Sequence, residues 1–404
     1  MDSHERNRLI LKNIEIYTEA GVINNGFIKI DTGKITELGC MSELTEIEDY
    51  HEIAMLDPYT VIPGLIDVHI HGVDGSDVMD GTKEALDRMA AALPKEGTTS
   101  FLAATMTQSE EAIQHALINV AEYMDTELFA NKAEILGIHL EGPFVNKKMA
   151  GAQPIQYIIK PNVDLFKKWQ ELSKGNIKLV TLAPEVDGCL ELIHYLRDTE
   201  VIASIGHSLS TYEETMEAIN AGVTHATHLF NQMSGLHHRE PGVVGAVFLQ
   251  DELKAELIAD GIHSKPEIIK LAYKIIGHDR LILITDSMRA KCLKNGTYDL
   301  GGQDVTVQNG KAVLSDGTLA GSILKMSGAL KNMISYTGCT LSDVIQMGSA
   351  NPAKQLNIYD RKGSIAVGKD ADLVILDKNY EVKMTLCKGL IAYDKEGLHT
   401  NENH

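Results

Sequence analysis

The sequence predicts an α/β protein, a (β/α)8 TIM-like barrel with a small β-sandwich domain built from both termini. Three observations predict it. Eight apolar, β-branched runs alternate with helical patterns through the middle of the chain. Both ends are instead rich in short extended segments broken by Gly, Asn and Asp turns. Finally, histidines and carboxylates recur at the ends of the predicted strands, the face where barrel enzymes keep their sites.

At the start of the chain, LILKNIEIYT, GFIKIDTG and KITELG read as strands. The barrel runs follow as VIPGLIDVHIHG (61–72), TTSFLAATMT (98–107), EILGIHLEGPF (134–144), IKLVTLAPE (177–185), VIASIGHS (201–208), VTHATHLF (223–230), KAELIADGIH (254–263) and RLILITDS (280–287). Between them TKEALDRMAAALPKEG, SEEAIQHALINVAEYM, TYEETMEAINAG and KPEIIKLAYKIIG carry helical spacing, several opening on Ser or Thr and closing on Gly. An open doubly wound sheet is the alternative, but no Gly-rich phosphate turn follows the first strand. Residues 290–318 read as a polar hairpin insertion and 322–350 as helices. GKDADLVILD, EVKMTLCKG and IAYD return to strand patterning. The expected division is 1–58 with 360–404 as the β-domain, a plain scaffold, and 59–359 as the barrel. A length of 404 residues suits a barrel with an appendage.

Composition narrows the function. Hydrophobic residues make up 44% and charged residues 23%, which excludes wholesale disorder. A formal net charge of −19 leaves no general footprint for nucleic acid or anionic membrane, so an anionic ligand must be held by a few local cations. No apolar run has the length of a membrane span, and the N-terminal MDSHERNRLI lacks the apolar stretch of a secretory signal. The five cysteines (Cys40, Cys189, Cys292, Cys339, Cys387) are scattered singly, as in structural thiols of a reducing cytoplasm.

Six residues carry the chemistry. His69 and His71 end the first barrel run, and positions i and i+2 of a strand share a face, so both imidazoles can meet one metal. Glu141 ends the third run, His207 the fifth, His228 the sixth and Asp286 the eighth. Four imidazoles and two carboxylates suit one or two divalent ions such as Zn²⁺ or Fe²⁺, with Glu141 as the candidate bridge. Such ions lower the pKa of water toward about 7. One histidine at a strand end is more often a hydrogen-bonded core residue, but six coincidences at five strand ends do not fit that reading. For His139 and His225 the core reading stands. So it does for the stripe Leu324, Met326, Leu330 and Met333, and for Trp169. Lys147 and Lys148 fit a solvated surface, and the Gly-rich 301–303 lacks the remainder of a nucleotide loop.

The run of His69/His71, HLEGPF, GHS, THLFNQM, DGIH and TDS resembles the amidohydrolase superfamily and, within it, the N-acetylglucosamine-6-phosphate deacetylase family, over essentially the whole chain. HLEGPF, and HLFNQM followed by Arg239-Glu240-Pro241-Gly242, are the specific parts. The resemblance implies release of acetate from the phosphorylated amino sugar. It implies that Glu141, His207 and His228 hold the metal common to the family. The His69/His71 pair marks the two-ion type, with Asp286 close to the second ion and acting as acid/base. It assigns the phosphate to Arg239 and to His263, in the run Asp260 to His263, and sugar or phosphate contacts to Asn231, Gln232, Leu319, Ala320 and Gly321. Ala152 and Gln153 fall beside the substrate. Gln153 departs from the histidine often found twelve residues after the metal-binding Glu, and it cannot carry a positive charge. The resemblance further implies a homodimer whose phosphate pocket borrows residues from its neighbour. Alternatives are another amidohydrolase, acting on a related N-acyl amino-sugar phosphate or a cyclic amide, or a silent binding protein on the same barrel.

Overall fold

The computed structural model describes residues 8–45, 47–126, 131–395 and 397–398; the first seven residues of the expected terminal domain lie outside them. Eight parallel strands follow one another around a nearly closed barrel: β1 (Leu65–Ile70), β2 (Thr98–Ala104), β3 (Glu134–Glu141), β4 (Ile177–Leu182), β5 (Ile202–Ile205), β6 (Val223–Ala226), β7 (Lys254–Ile258) and β8 (Leu281–Ile284). Neighbours in sequence are neighbours in the sheet, as short right-handed crossovers require. All eight predicted runs contribute a barrel strand.

The helices between them are α1 (Lys83–Ala92), α2 (Glu110–Met124), α3 (Val163–Leu172), α4 (Cys189–Asp198), α5 (Tyr212–Ala221), α6 (Gly242–Leu249), α7 (Pro266–Ile276) and α8 (Met326–Thr337). Their starts are written locally. Thr82, Ser109 and Asn162 accept from a main-chain N–H in the first turn of α1, α2 and α3, and Thr211 with Glu214 forms a capping box on α5. Each such cap contributes about 1 kcal/mol. The inner faces of these helices pack on the barrel in one large core that includes Leu86, Met89, Leu117, Phe166, Trp169, Leu192 and Ile269. Met326, Leu330 and Met333 join that core, and Trp169 stacks on Phe144. Among the described residues, no helix is long and apolar enough to cross a membrane.

The two ends of the chain meet in one mixed eight-stranded sheet. Its order runs Leu390–Asp394, Val382–Cys387, Leu373–Leu376, Thr60–Pro63, Arg8–Thr18, Gly21–Asp31, Lys34–Cys40, and His51–Ala54 also pairs with Arg8–Thr18. It holds its own core of Leu11, Ile14, Ile16, Ile28, Ile30, Leu373 and Ile375. The run that began at residue 61 is thus split. Thr60–Pro63 pairs in the terminal sheet, and after Gly64 the chain enters β1. The insertion after β8 is a three-stranded antiparallel sheet, Gly296–Leu300, Gln303–Gln308 and Lys311–Val313.

An ion-pair cluster joins barrel and terminal sheet. Glu134, at the start of β3, forms a two-point pair with Arg361, 2.9 Å at each bond, and meets Lys362 at 2.8 Å and Lys388 at 3.3 Å. Burial opposes the charge on Glu134, but these cations outweigh it and hold its pKa at about 2.

The barrel closes between β1 and β8 through its upper ends. His71 N and Gly72 N donate to Ser287 O at 3.0 and 2.9 Å, and Asp286 N donates to His69 O at 2.8 Å. The register of β1 against β2 shifts between Asp67 and Ile70, so the irregularity sits beside the histidine pair. Such bulges re-aim side chains next to active sites.

Candidate metal centre and active site

Three of the strand-end residues depart from extended backbone. His207, His228 and Asp286 have φ of 48°, 32° and 48°, a left-handed conformation uncommon for non-glycine residues. Each turns its side chain over the barrel mouth at the point where the strand ends. Such positions cost about 1–3 kcal/mol and persist where the surroundings hold them, typically at functional sites.

The six predicted residues come together there. Glu141 Oε1 lies 3.3 Å from Nε2 of each of His69, His207 and His228. Its other oxygen lies 3.4 Å from His71 Nε2. Asp286 Oδ1 is 3.3 Å from His71 Nε2 and 3.6 Å from His69 Nε2. Among the described residues three groups of ligand atoms come close together: Glu141–His207–His228 and His69–His71–Asp286 are built from these six, with Glu141 between them, and His69–His139–Glu256 shares His69. All six side chains are buried or nearly so.

The donor set fits a cation. His207 Nδ1 donates to Met149 O at 2.7 Å, which leaves a lone pair on Nε2 of the neutral ring. That lone pair faces Glu141 Oε1 at 3.3 Å and His228 Nε2 at 3.1 Å. His69 Nδ1 is likewise committed, to Glu256 Oε2 at 2.9 Å, and its buried Nε2 has no hydrogen-bond partner. Acceptors crowded this closely repel unless a proton or a metal ion lies among them. Burial disfavours charge on His71, yet Asp286 and Glu141 outweigh it and raise its pKa to about 10. Burial likewise opposes the charge on Asp286, while His69 and His71 hold the carboxyl below its ordinary range, so it is an anion at neutral pH.

Above these residues opens a cavity of about 300 Å³. Of the predicted substrate residues, Ala152, Gln153, Asn231, Gln232, His263, Leu319 and Gly321 line it. Met106, Leu300 and Thr318, which the sequence reading did not single out, line it too; the last two come from the insertion after β8. Ala320 is fully buried beside its lining neighbours. Asp260 stands behind His263, with Oδ2 at 2.7 Å from His263 Nδ1 and Oδ1 accepting from the main-chain N–H of Ile262 and His263. Burial opposes the charge on His263, but Asp260 outweighs it and raises its pKa. Arg239 is not among the lining residues. It lies exposed on the segment after β6, 2.6 Å from His238 Nε2.

Further polar residues support this cluster and were not singled out from sequence. Asp67 is fully buried, and its oxygens accept from the main-chain N–H of His69 and Thr285 and from the Thr285 hydroxyl, joining β1 to the strand that delivers Asp286. Glu256 on β7 accepts from His69, His225 and the His228 N–H. Strand alternation places one face of each inside the barrel, but nothing local says which partner it meets. His139 bonds Val68 O and the Thr181 hydroxyl, in keeping with its core reading.

A model of the amidohydrolase family matches residues 60–392. The chain is 51% identical to an N-acetylglucosamine-6-phosphate deacetylase of Bacillus subtilis (strain 168), over 95% of this chain and 97% of that protein. It is 33% identical to an N-acetylgalactosamine-6-phosphate deacetylase of Escherichia coli O157:H7, over 95% and 99%. Among solved structures, a variant N-acetyl-D-glucosamine-6-phosphate deacetylase of Mycobacterium smegmatis, in complex with N-acetyl-D-glucosamine-6-phosphate, superposes with a TM-score of 0.89 at 29% identity, covering 96% of this chain and 99% of that one. With a matching family model over most of the chain, a closely superposing barrel and relatives aligned nearly end to end, the chain belongs to the amidohydrolase family, metal-dependent hydrolases, and within it to the N-acetylglucosamine-6-phosphate deacetylases.

Proposed function

We propose that the chain removes the acetyl group from N-acetylglucosamine 6-phosphate, giving glucosamine 6-phosphate and acetate. One observation carries the reading. A single cavity has the metal-suited cluster of His71, Glu141, His207, His228 and Asp286 on one side and His263, raised in pKa by Asp260, on another. A neutral cyclic amide has no use for the second feature; a phosphate monoester has.

In this reading His69, His71, Glu141, His207, His228 and Asp286 would hold two divalent ions, zinc or iron, with Glu141 as the carboxylate common to both ligand groups. When bound, they supply the Lewis acidity that polarises a carbonyl. Asp286 takes a proton from the attacking water and returns it to the amine nitrogen as the C–N bond breaks, so one carboxylate serves as base and then acid. His263 binds the phosphate, and Asn231, Gln232 and the Leu319–Gly321 turn contact the sugar. Arg239, outside its own cavity, completes the phosphate site of a neighbouring subunit in a homodimer. The expected 59–359 unit is the catalytic one, less Thr60–Pro63, which belong with 1–58 and 360–404 to the scaffold.

Acetate release from N-acetylglucosamine 6-phosphate, beside the unphosphorylated sugar and N-acetylgalactosamine 6-phosphate, tests this with metal-replete and chelator-stripped protein. The expected result is release that needs both the metal and the phosphate. Equal release from both unphosphorylated and phosphorylated sugar removes the phosphate assignment. Preference for the galactosamine compound moves the substrate to that relative's sugar.

A further inference from the structure

Strand β7 supplies no residue to either group built from the six strand-end ligands, yet it sends a carboxylate to the back of both. Glu256 has no exposed surface. Its Oε2 lies 2.9 Å from His69 Nδ1 and 3.0 Å from the main-chain N of His228, and its Oε1 lies 3.1 Å from His225 Nε2. One side chain thus touches a member of each ligand group from behind.

The chemistry of these contacts is directional. A carboxylate only accepts, so a His69 ring with a single proton must carry it on Nδ1, which leaves on Nε2, facing Glu141 and Asp286, the lone pair a cation would need. Without that acceptor the ring is free to carry its proton on Nε2, pointing N–H at the place where a cation would lie. The bond to His228 N acts on the other group. His228 has its backbone in the left-handed region, and Glu256 anchors the N–H of that turn. His225 shares the carboxylate and contributes nothing toward the cavity; its Nδ1 is buried without a partner.

We infer that Glu256 is a positioning residue of the metal centre: its acceptor oxygen holds the His69 proton on Nδ1 and the turn at His228, and its negative charge, carried through the His69 ring, strengthens Nε2 as a donor to a cation. This rests on the metal reading given above. Carboxylates that orient metal-binding histidines in this way typically change metal affinity or activity by about 10–100-fold when replaced.

The test is metal affinity, measured by competition with a chromophoric chelator on the full chain, for Glu256→Gln. The amide keeps the shape and can still accept from His69 and the His228 N–H, and His225 can switch tautomer to receive its new N–H. The variant therefore removes the charge and leaves the packing. The expected result is affinity weaker by about 10-fold or more with the thermal midpoint of the stripped protein near that of the wild type. In a His69→Asn background the same change should then cost little further affinity, because the amide still anchors the His228 N–H and the ring that carries the effect of the charge is gone. Should the Gln variant not fold, Glu256→Asp, which withdraws both oxygens by one methylene, is expected to weaken affinity in the same way. Unchanged affinity in whichever variant folds overturns the inference, and so does an equal loss with and without His69. A wild-type chain that binds no metal overturns instead the reading on which it rests.

Discussion

The side-chain amide of Gln153 donates to Glu141 Oε2, while its carbonyl accepts from the main-chain N–H of Thr107 at 2.9 Å. Gln153, where the family resemblance led to an expectation of histidine, is therefore a strut between β2's outgoing loop and the central carboxylate. An imidazole has one donor and one acceptor nitrogen and can repeat both bonds. Gln153→His is expected to keep activity within about tenfold, whereas Gln153→Ala leaves the buried Thr107 N–H unpaired at a cost of about 1–3 kcal/mol. Denaturant unfolding and steady-state kinetics on both variants check this.

Asp286→Asn should bind metal but lose turnover by about 100-fold or more, because an amide cannot take up the proton that the leaving amine needs. Metal content by atomic absorption and kcat separate the two effects. Near-normal turnover would take Asp286 out of the acid/base role.

Glu141→Gln should lose metal together with activity. Glu141 lies within 3.4 Å of all four ligand histidines, and neutralising it removes the anion that both groups share. A variant that still binds two ions would refute the bridge.

His263→Ala should raise KM for the phosphorylated sugar by about 10–100-fold, the worth of a hydrogen bond between charged groups. Hydrolysis of the unphosphorylated sugar should change little. An unchanged KM would place the phosphate elsewhere.

Arg239→Ala should raise KM in the same way, and the exposed position of Arg239 makes a sharper experiment available. Mixed with the Asp286→Asn protein, it should regain activity in heterodimers, where an intact Asp286 meets an intact Arg239 from its neighbour. Absence of complementation, with dimers formed, would confine Arg239 to its own subunit.

Glu134→Gln should lower stability by roughly 3 kcal/mol near pH 7, the equivalent of moving a carboxyl from its ordinary 4.5 to about 2. A depressed folded-state pKa stabilises above the unfolded value and loses that effect as pH falls through the folded one. The gap between variant and wild type should thus begin to close below about pH 4.5 and vanish near pH 2. Unfolding curves across that range check the sign, and a pH-independent gap would show that packing, not charge, is at stake.

Much of this molecule is legible in one dimension. The eight barrel strands, the caps at Thr82, Ser109 and Thr211, and the ligands at strand ends follow from local rules: alternation, turn chemistry, and the parity that puts His69 and His71 on one face. What the fold alone decided is who stands behind whom. His69 and Glu256 are 187 residues apart, Asp67 and Thr285 218, and Thr107 and Gln153 46. Their pairing depends on which strands the closed sheet brings side by side and on where a buried acceptor finds a donor. Likewise, Thr60–Pro63 reads as the start of a barrel strand but is paired in the terminal sheet, because Leu373–Leu376 arrives beside it from the far end of the chain. Local sequence sets the direction of a side chain; only the tertiary structure supplies the partner that fixes its proton.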